Sequence, residues 1–205
     1  MTLWIVPREQ VAAKLERVMH IKENEPNLAP GSYPRFYPHI TLASLPASME
    51  SDLDALRASI PQLESPLECS FASMAIGTSY FRSVYIAVEP TMEVLDLHKR
   101  VHEALHLEPK TPSFPHMSLC YVDDEDAAKG ERAVYYDTLR MQGKYRKAEP
   151  HPSGIAMEGV LLNCKGVGEE DDWVNAFEAS EVWAVKCDGP VGTWQVLARY
   201  PIVGK

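Results

Sequence analysis

The sequence predicts a mixed helix-and-strand fold built as two related halves, and three observations support that reading. Two segments, Pro38-His39-Ile40-Thr41-Leu42 and Pro115-His116-Met117-Ser118-Leu119, repeat one pattern 77 positions apart (116 − 39). Each follows an aromatic residue (Phe36 and Tyr37, then Phe114) and sets a hydroxyl two places after a histidine. Helical and strand periodicities alternate, so each half contains a helix, a histidine strand, a helix and further strands. No linker is long or disordered enough to part independent domains, so residues 1–205 are expected to form one bilobal unit.

The elements follow in order. Residues 3–6 read as an apolar strand stopped by Pro7, and residues 8–22 as an amphipathic helix through Val11, Leu15, Val18 and Met19. Pro26, Pro30, Gly31 and Pro34 make an irregular connection into the first histidine strand. A second helix is expected over 50–60, with Leu53 and Leu56 inward. Strands 67–76 and 80–88 form a hairpin about a Gly77-Thr78-Ser79 turn. Residues 91–107 read as a helix, 109–115 as a linker and 117–122 as the second histidine strand. The acidic run Asp123-Asp124-Glu125-Asp126 suits a helix start, because carboxylates favour the positive end of the helix dipole. That helix should run to about residue 141. Strands are expected at 156–164, 181–187 and 194–200, with a polar loop at 143–154 and an acidic excursion at 166–180.

Composition narrows the class. With 205 residues, 45% hydrophobic and 24% charged, the chain has the make-up of an ordinary soluble domain. A formal net charge of −9 argues against wrapping long nucleic acid, which demands a broad positive surface. No run approaches the ~20 apolar residues of a membrane span. The opening Met1-Thr2-Leu3-Trp4-Ile5-Val6-Pro7 lacks the basic flank of a signal peptide, so a cytoplasmic protein is expected, and a monomer. Attachment to an endomembrane such as the Golgi through a partner is left open. Cys69, Cys120, Cys164 and Cys187 are scattered, and the expectation is four reduced, mostly buried thiols. Cys120 lies close to the second motif, where it can modulate the site without acting as nucleophile.

The chemistry rests on the doubled motif. In a strand, side chains at i and i+2 share a face, so His39 aligns with Thr41 and His116 with Ser118, while the apolar neighbours turn to the core. A lone His-x-Thr is more often structural than catalytic; two matching copies shift that weighing. One imidazole can take a proton from water while the other gives one to a leaving oxygen. The hydroxyls can donate to phosphate oxygens where negative charge builds. Such a scheme needs no metal or other cofactor. His98, His102 and His106 recur every four residues, a spacing able to bind metal, but a solvated helix face is the expected reading. Lys144, Arg146 and Lys147 form a compact basic cluster, read as a solvated loop rather than a guide for an anionic substrate.

These residues resemble the 2H phosphoesterase superfamily, whose members carry two H-x-[ST]-h motifs, h being hydrophobic. Within it the chain is similar to the plant and fungal 2′,3′-cyclic-nucleotide 3′-phosphodiesterases. Leu3-Trp4-Ile5-Val6-Pro7, the segment from Gly77 through Phe81 to Tyr85, and Tyr121 five residues after His116 add to the likeness. The resemblance implies a bilobal α+β fold, two antiparallel sheets with outer helices around a central cleft, related by internal duplication. It implies hydrolysis of 2′,3′-cyclic nucleotides, and of ADP-ribose 1″,2″-cyclic phosphate from tRNA splicing, to 2′-phosphates. His39 is then the general acid and His116 the general base, with Thr41 and Ser118 on the phosphate. Trp4, Phe81 and Tyr121 would pack on base or ribose, against the competing reading of plain core aromatics. Two other functions stand beside this one: an RNA-directed 2H enzyme acting on 2′–5′ linkages or RNA ends, and a module that binds nucleotides without turnover. The acidic charge weighs against the first, and the intact histidines and hydroxyls against the second.

Overall fold

Strand alternation decides the faces from the first element on. In this computed structural model, which describes residues 1–22, 25–50, 52–109, 114–148 and 159–204, β1 (Thr2–Val6) turns Leu3 and Ile5 into the main core and Trp4 and Val6 to the opposite face. Helix α1 (Glu9–Met19) buries Ala12, Leu15, Val18 and Met19 at helical spacing. There follow β2 (Ile40–Ser44), α2 (Leu53–Ser59), β3 (Leu67–Ser79), β4 (Arg82–Val88), α3 (Met92–Ala104) and β5 (His116–Cys120). The second half continues with α4 (Asp124–Ala128), α5 (Glu131–Met141), β6 (Tyr145–Lys147), β7 (Val160–Asn163), β8 (Trp173–Val174), β9 (Ala176–Ala179), β10 (Glu181–Lys186) and β11 (Gln195–Pro201). No helix among the described residues is long and apolar enough to cross a membrane.

The expected α+β architecture is present. An antiparallel sheet of eight strands runs β11-β10-β1-β2-β5-β4-β3-β9, and a smaller one runs β6-β7-β8. The two histidine strands, β2 and β5, are neighbours at the middle of the large sheet. They pair through one position, Ile40 opposite Met117; β1, β10 and β11 continue the sheet beyond β2, and β4, β3 and β9 beyond β5, so each side of the seam mixes strands from both halves of the chain. Helix α3 packs on β2 and β3, α5 on β3 and β4, and α1 on β5 and β7.

Both histidine strands carry a β-bulge at the same place in the motif. Leu3 pairs with Ala43 and Trp4 with Thr41, which leaves Leu42 as an extra residue in β2. Val84 pairs with Cys120 and Tyr85 with Ser118, which leaves Leu119 extra in β5. A bulge breaks the period of two, so the residue after each leucine also faces the core: Ala43 and Cys120 are buried beside Leu42 and Leu119. Cys120 therefore points away from the histidines, contrary to the expectation that it can modulate them. All four cysteines are free thiols, three of them buried.

Several boundaries differ from the expectations, each for a local reason. Gly77-Thr78-Ser79 is not the hairpin turn; it ends β3, and Tyr80-Phe81 makes the turn instead. Gly77 sits at an irregularity in the β3–β4 register, where a Cβ would lie 1.9 Å from the Arg82 carbonyl oxygen. Glycine is there for close backbone approach, as bulges often require. The helix expected from 123 to 141 is two helices, because Gly130 adopts φ +91° between them and ends α4. Asp123 caps α4, accepting from the Glu125 N–H at 3.1 Å. The second histidine strand starts at His116 and ends at Cys120 rather than spanning 117–122. The acidic excursion forms β8 and β9, and β9 pairs with β3 at the sheet edge. Of the basic cluster, Lys144 lies in the loop before β6, while Arg146 and Lys147 are on β6 itself, exposed, with Arg146 4.0 Å over the Trp173 ring. The expected linker at 109–115, loop at 143–154 and strand at 156–164 fall partly outside the described residues.

Replacing Gly77 with Ala should cost stability at the upper end of the ~1–3 kcal/mol typical of overpacking. Urea unfolding of Gly77→Ala beside wild type measures it; an unchanged midpoint would mean that β3 can shift away from Arg82 without loss.

Candidate active site

The face of the large sheet opposite the main core holds a cleft of about 510 Å³, within the usual range for small-ligand sites. All seven residues singled out from sequence line it: His39, Thr41, His116, Ser118, Trp4, Phe81 and Tyr121. Period-two geometry explains the first four. The bulges explain Tyr121: with Leu119 and Cys120 both inward, the chain next faces the cleft at Tyr121, as β2 does at Ser44. Phe81 arrives on the hairpin turn and is 57% exposed, so it is not a core aromatic.

His39 is the most constrained side chain. Its ring stacks on Trp4 with centroids 3.7 Å apart and planes 9° from parallel, and Phe36 meets it edge-on at 6.0 Å. A carbonyl oxygen can only accept, so the 2.7 Å contact between Nδ1 and the Tyr37 carbonyl places the proton on Nδ1. Nε2 is left as the atom that exchanges protons with a ligand. Burial pushes the imidazole down to about 4, partly opposed by the Tyr37 hydrogen bond and reinforced by the nearby His116. At neutral pH the ring is neutral. His116 is half-buried, and the Tyr85 ring lies against it edge-to-face at 5.4 Å.

The hydroxyls differ from each other. Ser118 Oγ donates to the Phe81 carbonyl at 2.7 Å, tying β5 to the hairpin turn; rotation about Cβ–Oγ is needed to aim that proton at a phosphate. Thr41 lies directly across from Trp4. Tyr121 stacks on Phe36 at 4.0 Å and meets Phe81 edge-on at 5.4 Å, forming an aromatic wall. Burial raises its phenol far above the ordinary value, so it is a neutral donor and packing surface.

Sequence reasoning missed Arg82 and Trp194. Arg82 opens β4 and brings a guanidinium to the cleft, 5.5 Å over the Tyr85 ring that also touches His116. Trp194 lies 5.8 Å from Trp4 and 5.9 Å from Phe81, closing the aromatic wall from the far edge of the sheet. Arg82 was visible beside Phe81 in the hairpin segment; nothing local marked Trp194. The cleft's lining includes no Asp or Glu among the described residues, which suits an anion in an acidic protein. Of the His98 row only His106 is exposed, just beyond the end of α3. His102 is buried and donates Nδ1–H to the His98 carbonyl at 2.8 Å, while His98 packs on Phe114 at 4.1 Å. No three metal-ligating side chains gather among the described residues.

Two histidine–hydroxyl motifs on adjacent strands of an antiparallel α+β fold define the 2H phosphoesterase class. A family model described as cyclic phosphodiesterase-like protein matches residues 1–202, and the chain belongs to that family. A 2′,3′-cyclic-nucleotide 3′-phosphodiesterase of Yarrowia lipolytica is 25% identical over an alignment 227 positions long, covering 96% of both chains. A cyclic phosphodiesterase of Arabidopsis thaliana is 23% identical over 144 residues, 65% of this chain and 72% of that one. Among solved structures, E. coli LigT complexed with 3′-AMP matches with a TM-score of 0.50 at 15% identity, over 99% of this chain and 97% of its own. At that identity the likeness is one of fold.

The environment of His39 predicts its titration. The unfolded chain takes up this proton near ~6.5 and the folded protein only at about 4. Between those values the unfolded state binds more protons, so stability contributed by neutral His39 is lost as pH falls through that window. Nitrogen-15 NMR should show Nδ1 protonated at pH 7 and a midpoint near 4; a midpoint near ~6.5 would mean a solvated ring.

Proposed function

We propose that the protein hydrolyses 2′,3′-cyclic nucleotides to 2′-phosphates, with ADP-ribose 1″,2″-cyclic phosphate as a second substrate of the same kind. The observation that carries this reading is the convergence of His39, His116, Thr41, Ser118 and Arg82 on one cleft that no carboxylate lines among the described residues. The family and the names of its relatives support the ester class. Water adds to phosphorus and loses a proton to one imidazole; the P–O3′ bond breaks, and the other imidazole protonates O3′. Thr41, Ser118 and Arg82 bear on the non-bridging oxygens, where charge develops. Phe81 and Trp194 offer a π-surface to the base, with Tyr121, only 2% exposed, packed behind them. Trp4 has a different part: it is 4% exposed and holds the His39 ring in place.

In this scheme His39 protonates O3′ and His116 activates water. The anionic phosphate beside Nε2 then supplies the charge that draws a proton onto the buried ring, and an imidazolium on the Trp4 face gains about 0.5–2 kcal/mol of cation–π attraction. One observation favours the exchanged roles: burial holds His39 neutral at pH 7, the form a general base requires.

Incubated with the four 2′,3′-cyclic nucleotides, the protein should release 2′-phosphates at a rate indifferent to EDTA. Formation of 3′-phosphates, or a loss on chelation that added metal restores, would overturn the scheme. His39→Ala and His116→Ala should each lower kcat by ~10²–10⁴-fold while the protein stays folded. Near-wild-type turnover by either folded variant would rule out the paired mechanism.

The roles separate on the leaving group. A substrate with sulfur in place of O3′ departs as a thiolate and needs little protonation, so it should rescue the variant lacking the acid. Rescue of His39→Ala alone supports His39 as acid; rescue of His116→Ala alone exchanges the roles. With His39 as the base, kcat/KM should fall below pH about 4, where its ring takes up a proton.

A further inference from the structure

The row of side chains that supports His39 continues past the cleft. Cross-strand neighbours run Thr41, Trp4, Trp183 and Arg199 across β2, β1, β10 and β11. Trp183 is 6% exposed, covered by the Arg199 guanidinium at 4.2 Å and by the Tyr37 ring at 4.6 Å. Tyr37 is the residue whose carbonyl orients His39, and its hydroxyl donates to the Pro7 carbonyl at 3.2 Å. Around these lies a second cavity of about 350 Å³, lined also by Val6, Arg8, Glu9 and Glu181, so that two carboxylates face its two arginines. Val6 shares the face of Trp4 two residues on, so this cavity opens roughly 7 Å farther along β1 from the catalytic row.

Its chemistry is mixed in a specific way. Arg199 and Arg8 bring positive charge, and both side chains are exposed. The Glu181 carboxylate accepts the Trp183 indole N–H at 2.8 Å and borders the same cavity. The ion pair between Arg8 and Glu178, 3.5 Å long with both side chains more than half exposed, is weak enough to be exchanged for a ligand's phosphate. Guanidinium and phenol planes stack on a base of any identity, arginine also grips a phosphate, and a carboxylate accepts from a base's exocyclic amine.

We propose that this cavity is a subsite for a second nucleotide unit, joined by a phosphodiester to the sugar that carries the cyclic phosphate. The substrate class then includes dinucleotides that end in a 2′,3′-cyclic phosphate. The cavity has room for one base, and the protein's charge of −9 opposes the extended backbone of a longer strand. The inference rests on the cyclic-phosphate reading of the neighbouring cleft.

The test compares adenosine 2′,3′-cyclic phosphate with adenylyl-(3′→5′)-adenosine 2′,3′-cyclic phosphate. Wild-type kcat/KM should favour the dinucleotide by roughly 5- to 100-fold, the equivalent of one stacked base. Arg199→Gln and Arg8→Gln should erase most of that preference and leave the mononucleotide rate unaltered. Equal rates on the two substrates in wild type, or variants that slow both alike, would overturn the subsite. A parallel binding measurement separates this proposal from the catalytic one: tryptophan fluorescence titrated with the adenosine and adenylyl-adenosine 2′-phosphates. Tighter dinucleotide binding that Arg199→Gln abolishes supports the subsite even if neither cyclic phosphate is turned over. Equal binding of the two would count against it whatever the turnover.

Discussion

The β2–β5 seam joins two four-strand sides of the sheet through a single residue pair, Ile40 with Met117, and the parity of those two strands sets what every nearby side chain faces. Ile40 and Met117 are fully buried, as are the leucines two residues on. Their burial commits His39, Thr41, His116 and Ser118 to the other face. A slip of one residue in either strand would drive polar groups into the core and apolar groups into the cleft, so register is held by the hydrophobic effect itself. The catalytic geometry is thus secured by residues that never meet a ligand.

The paired bulges extend that control. A regular strand would send Cys120 to the cleft and Tyr121 to the core; the extra Leu119 reverses both. The extra Leu42 does the same to Ala43 and Ser44. The motif's leucine is therefore the bulged residue in each half, a reason for its presence beyond bulk. Aromatic packing then holds the site from the side: Trp4 under His39, and Phe36 touching both His39 and Tyr121.

Electrostatics follow from the same placement. Burial of its ring keeps His39 neutral at pH 7, and the Tyr37 carbonyl fixes its tautomer. With Arg82 on the lining and no carboxylate there among the described residues, an acidic protein presents an anion-compatible surface in one place. Local arrangement, rather than net charge, governs what a small charged ligand encounters.

The two motifs, their inward and outward faces and the mixed fold were legible from sequence, because period-two and helical patterns are local and follow from covalent geometry. Trp4, Phe81 and Tyr121 were legible as candidates through resemblance. Other features belong to the tertiary structure alone. The bulges depend on which residue lies across the strand, and Gly77 on how closely β4 approaches β3. The break at Gly130 required a left-handed backbone that an acidic, helix-like run concealed. His102 was expected in solvent and lies buried, because the packing of α3 overrode its polarity. Trp194 and Trp183 reach the histidines' face only because β10 and β11 fold back beside β1, some 180 residues along the chain from it. Long-range strand pairing decides such neighbours, and no local pattern encodes it.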